Sequence, residues 1–330
     1  MSFEVGRLPH GPKNRITDVP GVRVGHATVD KGDCHTGVTV VLPPPRNPFT
    51  EKLTAACAVF NGFGKTTGLM QLDEVDTLET PIALTSTLNV GKVHDALVSY
   101  MLSLCAQDGI RLTSVNPVVC ECNDGRISDI ARRPVGEAEV LSAIRGACAE
   151  FEQGAVGAGR GTVCYGVKGG IGSSSRLVEL DGRSYAMGVL VQSNYGDAAD
   201  FRAAALPEGL SQCDRGSIIL VLATDLPLSS RQLKRVLRRT SVGMARLGSY
   251  IGHGSGEIAV GFTTAPLAQS GGSFRTQTVL REELMNLPFR AAGECAEEAI
   301  LQSMWNARAD VALDGSAIPS LKEYMKEHER

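Results

Sequence analysis

Apolar positions recur along this chain with two different spacings, and the two come in blocks. Between residues 89 and 108, Val90, Val93, Leu97, Tyr100, Met101 and Leu104 fall at helical spacing, with Gly109 as the stop. The same spacing predicts a helix over 136–152 through Val140, Ile144 and Phe151. It predicts another from Pro227-Leu228-Ser229-Ser230 to about Leu247, with Leu233, Val236, Leu237 and Met244 inward, and a last one over 289–308 with Trp305 near its end. Elsewhere the period is two, or the apolar run is unbroken. Residues 19–29 alternate around Val22 and Val24, and 37–45 reads as a strand that stops on prolines unable to continue a ladder. Residues 176–194 hold two strand-like runs joined through Asp181-Gly182, a pair that accepts the positive φ angles of a tight hairpin turn. Residues 217–224 form a buried strand, and 256–265 returns as another. Blocks of strands and helices, without strict β-α alternation, argue against a doubly wound parallel sheet and for stacked sheets between helical layers.

Bulk chemistry narrows the function only a little. The 330 residues can bury a large core, and a net charge of −3 gives no electrostatic reason to expect nucleic acid or an anionic membrane. The first residues lack the apolar core of a secretion signal, and no apolar stretch reaches the ~18–20 residues of a membrane span. The expected compartment is therefore the cytoplasm. Nine cysteines with no CxxC pair, Cys120 and Cys122 being only CxC, read as reduced, mostly buried thiols and not as a metal site. The glycine-rich stretch 154–176 has neither the G-x-G-x-x-G frame nor the Lys-Ser/Thr ending of a phosphate loop, so turns and close packing account for its glycines. The basic residues Arg231, Lys234, Arg235, Arg238 and Arg239 read as the solvated face of a helix.

The chemistry gathers at the junction "CDRGSIILVLATD", residues 213–225, where Ser217 opens an apolar run directly after Gly216. A serine hydroxyl is a weak nucleophile until a base takes its proton. His253 in "GHGSGE" is the nearest histidine candidate, although a glycine-flanked loop histidine is usually only that, and no G-x-S-x-G elbow surrounds Ser217 or Ser255. The other solution is to make the serine the first residue of a new chain. Its own α-amine, with a reference pKa of roughly 7.7–8.0, then serves as the base. Asp225, at the end of the run, reads as a cap or turn residue.

Several segments in order resemble one family. "CDRGSIILVLATDLPL" with "GSYIGHGSGEIAVGFTTA", preceded by "NRITDVPGVRVGHATV", "VVCECNDGRISDI", "VGAGRGTVCYGVKGGIGSSSR" and "GVLVQSNYG", is similar to the DmpA-like aminopeptidases. These comprise the L-aminopeptidase/D-amidase-esterases and the β-peptidyl aminopeptidases. The resemblance implies an α/β fold of four layers, an αββα sandwich of the N-terminal-nucleophile-hydrolase type. It implies one chain that cuts itself at Gly216–Ser217 into an α polypeptide, 1–216, and a β polypeptide, 217–330, which stay folded together as a single domain. It also implies a homo-oligomer, a tetramer of αβ pairs, and no metal or organic cofactor.

Residue roles follow from the same resemblance. Ser217 matches the nucleophile, and Ser255 and Glu257 match a Ser-x-Glu pair that hydrogen-bonds near it and orients it. Asn194 matches the side-chain amide that donates to the oxyanion, a contact worth roughly 3–4 kcal/mol in other hydrolases. Glu121 matches the carboxylate that binds the substrate's free ammonium and so restricts the enzyme to chain ends. Asn123 stands where some members carry tyrosine, and it reaches less far as a donor. The implied substrate is a short peptide, amide or ester with a free amine, with the balance towards β-peptides. The alternatives are an L-aminopeptidase/D-amidase-esterase on α-peptides, a related amidase or acyltransferase, and an unprocessed binding protein on the same scaffold.

Overall fold

The computed structural model describes residues 3–44, 46–206, 210, 216–267, 273 and 276–328. Pro45, the last of the three prolines, and Cys213–Arg215, the start of the junction quoted above, lie outside the described residues. Two mixed sheets lie face to face between layers of helix. The first has the order β1 (Arg23–Lys31), β2 (Cys34–Leu42), β5 (Ile82–Ser86), β6 (Val118–Cys122). The second has the order β4 (Thr77–Leu78), β3 (Leu53–Gly62), β12 (Gly256–Thr263), β11 (Ser217–Thr224), β10 (Arg183–Asn194), β9 (Gly170–Leu180). Two small ladders, β7 (Val163–Cys164) with β8 (Val167–Lys168) and β13 (Asp310–Val311) with β14 (Ala317–Ile318), sit outside them.

Side-chain alternation along the strands assigns the layers. On β11, Ile219, Val221 and Ala223 join Val41, Leu84, Cys120 and Cys122 in the core between the sheets. Their neighbours Ile218, Leu220 and Leu222 face the other way, onto α4 (Ser230–Leu237), α5 (Thr240–Arg246) and α6 (Asn286–Trp305). On the first sheet Val38, Val40, Ala83 and Val119 face outward onto α2 (Val90–Gln107) and α3 (Glu137–Arg145). Period-two strands buried on both faces therefore read as unbroken apolar runs, and the four layers are αββα. The short α1 (Leu69–Glu74) and the C-terminal α7 (Leu321–His328) complete the helices among the described residues. α6 lies so close to β9 that a Cβ on Gly172 would come within 2.0 Å of the Ala299 carbonyl oxygen. That is the close-packing use of glycine expected for the 154–176 stretch.

Both sheets contain one parallel pair, β5–β6 across α2 and β11–β12 across α4 and α5; their other pairings are antiparallel. The β9–β10 hairpin turns on Asp181 and Gly182 at φ 51° and 75°, as the sequence predicts.

Three helix expectations change. The helix predicted over 136–152 stops at Arg145, because Cys148 exchanges backbone hydrogen bonds with Val24 (3.0 Å each) and pulls the chain onto the edge of β1. Phe151 then packs between the sheets instead of on a helical face. The helix expected to reach Leu247 is two. The Thr240 hydroxyl donates to the Leu237 carbonyl at 2.7 Å, and the Arg239 N–H tightens onto Val236, so the chain bends between α4 and α5. The last helix spans Asn286–Trp305 rather than 289–308, with Pro288 accepted in its first turn. The basic residues of α4 behave as a surface face: Arg231 and Arg235 pair with Glu282, Lys234 with Asp73, and Arg239 stacks over Phe289.

Candidate active site

Ser217 begins β11 at the mouth between the two sheets, on the face that Ile219 turns to the first sheet. Its neighbours are set by register: Asn194 on β10 stands opposite it on one side, and Gly256 on β12 on the other. The Ser217 hydroxyl donates to the Gly216 carbonyl at 2.7 Å. The Gly256 N–H donates to that same carbonyl oxygen at 3.0 Å and lies 3.3 Å from the Ser217 Oγ. The peptide bond before the serine is thus held with the serine hydroxyl beside it and a backbone donor on its oxygen. Gly216 is required by packing: a Cβ there would come 1.9 Å from the Asn194 carbonyl oxygen. Behind the strand, the Cys122 thiol donates to the Ser217 carbonyl at 3.3 Å and to the Gln192 carbonyl at 3.4 Å. Burial raises its pKa well above the ordinary thiol value, so it is a protonated donor.

Asn194 is 8% exposed, and its Oδ1 accepts the Val163 N–H at 3.0 Å. Fixing the oxygen end of the amide fixes the direction of its NH2 end. Glu121, 2% exposed near the end of β6, accepts the Lys65 N–H at 3.0 Å on one oxygen and the Thr87 hydroxyl on the other. Asn123 is exposed, and its Oδ1 accepts the Gly125 N–H at 3.0 Å.

A cleft of about 530 Å³ brings Gly216, Ser217, Glu121 and Asn123 together with Phe63, Lys65, Thr87, His253 and Gly254. The Lys65 ammonium lies 4.7 Å over the Phe63 ring at its rim. Ser255 and Glu257 flank Gly256, the residue that pairs with Ser217, and both are fully buried. The hydrogen bond expected of the Ser255 side chain is not made among the described residues. Its hydroxyl is buried without a hydrogen-bond partner among the described residues, because the Ser217 hydroxyl is turned to the Gly216 carbonyl.

Several participants are invisible in the sequence pattern. Gly256 acts through its backbone N–H, and Lys65 and Thr87 through bonds to a carboxylate 56 and 34 residues away. The Asn61 amide sits among the carbonyls of Gly252, His253 and Ser255 and fixes their loop. His253 is a loop residue as expected, yet it lines the cleft. Asp225 accepts the Ala186 N–H at 2.8 Å, the capping role read from sequence. The eight described cysteines are free thiols, and burial pushes Cys120 up to about 12, in keeping with apolar packing. Among the described residues no cluster of three or more His, Cys, Asp or Glu could hold a metal ion, and no helix is long and apolar enough to cross a membrane.

The model of peptidase family S58 matches residues 14–318. The chain belongs to this family. It is 36% identical to the β-peptidyl aminopeptidase BapA of Sphingosinicella xenopeptidilytica, over 89% of this chain and 81% of that protein. A solved structure from Pyrococcus horikoshii OT3 superposes with a TM-score of 0.91 at 41% identity, covering 99% and 98% of the two chains. The L-aminopeptidase D-Ala-esterase/amidase of Ochrobactrum anthropi, described as a variant of the Ntn-hydrolase fold, gives 0.87 at 33% identity, covering 98% and 97%. The S58 chain is accordingly an aminopeptidase of Ntn-hydrolase fold with a serine nucleophile and autoprocessing as family features, and the αββα expectation holds.

Proposed function

We propose that the chain cuts itself between Gly216 and Ser217, and that the new N-terminal serine then removes N-terminal residues from short β-peptides. The observation that carries the reading is the single cleft in which Ser217 and the buried Glu121 carboxylate meet. In self-cleavage the Ser217 oxygen adds to the Gly216 carbonyl carbon while the Gly256 N–H supports the developing oxyanion. The hydroxyl proton passes to the Ser217 nitrogen, which collapse expels as the amine, leaving an ester that water hydrolyses to a Gly216 carboxylate and the Ser217 hydroxyl. The buried Ser255 hydroxyl, without a partner among the described residues, then gains one in the N–H of the new α-amine, whose lone pair stays free to act as the base.

In turnover the α-amine takes the hydroxyl proton, Ser217 attacks the substrate carbonyl, and the Asn194 NH2 group donates to the oxyanion. The amine returns the proton to the leaving group, and water releases the acyl-enzyme. Glu121 takes the substrate's ammonium, so a blocked terminus leaves a buried carboxylate facing an apolar group. The preference for an extra backbone methylene rests on the likeness to BapA, while the likeness to the Ochrobactrum enzyme supports α-peptides and amides as the second reading. Four αβ pairs form the proposed assembly, to be read from the mass of the cut protein in solution.

N-terminal sequencing of wild type beside Ser217→Ala tests the cut: wild type yields a fragment starting SIILV, and the variant stays whole. Glu121→Gln cuts normally but loses about 10–100-fold in kcat/KM on β-alanine p-nitroanilide, the worth of about 1.5–3 kcal/mol for a hydrogen bond to a charged group. Equal rates of the variant and wild type, or equal rates on the acetylated substrate, refute the role of Glu121. L-alanine p-nitroanilide and D-alanine amide separate the two substrate readings. A wild type that stays whole while folded leaves the binding-protein alternative.

A further inference from the structure

Lys168 is fully buried, yet it ends in a charge-bearing group. Its Nζ donates to three carbonyls, those of Thr162 at 2.8 Å, Gly169 at 3.0 Å and Gly159 at 3.2 Å. Three N–H donors meet three acceptors, which is the whole capacity of an ammonium. All three carbonyls belong to the glycine-rich loop, and Lys168 stands directly opposite Val163 in the β7–β8 ladder. Val163 is the residue whose N–H holds the Asn194 Oδ1 at 3.0 Å.

We propose that Lys168 is a positioning residue for the oxyanion amide: its ammonium gathers the 159–169 loop so that Val163 holds Asn194 in its donating orientation. The proposal rests on the reading of Asn194 as the oxyanion donor. A methionine would fill the same volume without the cost of burying a charge, so the ammonium's contribution lies in the three carbonyls it orders. The loop has few substitutes for this, since glycine is forced at positions 159 and 161. Cβ atoms there would meet the Ile171 nitrogen at 2.5 Å and the His35 carbonyl oxygen at 2.4 Å.

The charged groups around Lys168 are Asp310, Arg160 and Asp124. Burial lowers its pKa, Asp310 raises it, Arg160 lowers it and Asp124 raises it, and the balance leaves it at about 7. As pH rises through that value the ammonium becomes an amine with two N–H groups, and one of the three carbonyls loses its donor. Turnover then declines on the alkaline side, although the Ser217 amine becomes a better base over the same range.

The test is a double-mutant cycle on cut, folded protein, with folding checked by circular dichroism. Lys168→Met is expected to lower kcat roughly 10–100-fold with KM held within about twofold, because the oxyanion contact acts in the transition state. In an Asn194→Ala background the same change is expected to cost less than about threefold. Equal losses in both backgrounds, or no loss in either, overturn the proposal and leave the reading of Asn194 intact. Wild-type kcat in Asn194→Ala alone overturns that reading, and the proposal with it. Should Lys168→Met fail to fold or cut, the pH dependence of kcat in wild type and Asn194→Ala decides. An alkaline decline present in wild type and absent in Asn194→Ala supports positioning through Asn194, and the same profile in both refutes it.

Discussion

Gly216→Ala isolates the geometry of self-cleavage from its chemistry, since an alanine carbonyl is about as electrophilic as a glycine carbonyl. The added Cβ would sit 1.9 Å from the Asn194 carbonyl oxygen, 2.9 Å from its carbonyl carbon and 3.0 Å from the Tyr195 Cα. All three are backbone atoms of the adjoining strand and its exit, so no side chain can swing aside. Restoring a tolerable contact requires a displacement of about 1 Å, at the point where Ser217 pairs with Asn194. A misplacement of about 1 Å costs on the order of 100-fold in rate, or about 2.7 kcal/mol of barrier. Overpacking at one strand end costs about 1–3 kcal/mol of stability, small enough for the variant to stay folded. The assay follows cleavage on denaturing gels from the moment of refolding, with far-ultraviolet circular dichroism on the same samples. The expected result is a native-like spectrum with a half-time lengthened about 100-fold. Cleavage of the variant at the wild-type rate would falsify the claim that strand register holds the scissile carbonyl in place.

Two further outcomes concern stability. Arg176, fully buried on β9, pairs with Glu294 at 3.2 Å and Glu298 at 2.7 Å on α6 and donates to the Val5 carbonyl at 2.7 Å. Arg176→Met removes the buried cation shared by two buried carboxylates, leaving Glu294 with Arg290 at 3.8 Å and Glu298 with His10 at 3.1 Å, and is expected to cost about 3 kcal/mol. Urea unfolding reads this loss, and a change below about 1 kcal/mol refutes it. Burial outweighs the upward pull of the bond to the Glu152 carbonyl and leaves the His26 pKa at about 4, and Thr39 holds its other nitrogen at 2.9 Å. Because the folded pKa lies below the unfolded value of about 6.5, the unfolded chain takes up its proton first. The contribution of His26 is therefore complete above pH 6.5 and lost as pH falls towards 4, by up to about 3 kcal/mol. Unfolding of His26→Gln at pH 7, 5.5 and 4.5 is expected to show a flatter slope than wild type, and parallel slopes contradict the assignment.

The sequence by itself determined the elements whose signal is local. Asp181-Gly182 dictates its hairpin because φ preferences belong to single residues, and the unbroken, β-branched-rich run from Ser217 to Thr224 reads as a strand buried on both faces. The nucleophile, amide and carboxylate implied by the resemblance, Ser217, Asn194 and Glu121, were legible only through ordered likeness to a family; in the structure Asn194 stands opposite Ser217, and Ser217 and Glu121 line one cleft. Tertiary structure decided what depends on distant partners. Period alone carried a helix across 146–152, but pairing of Cys148 with Val24 ends it, because a backbone ladder satisfies donors that an exposed helical turn leaves to water. It also decided that the Gly256 N–H donates to the Gly216 carbonyl, that Gly216 is required by the strand beside it, and that the buried Lys168 ammonium donates to three carbonyls of the loop that holds Asn194. Such roles are set by position across a sheet and not by residue type. The chain spells them only once it has folded, since burial and close approach turn a carbonyl, a missing Cβ or an ammonium into part of a site.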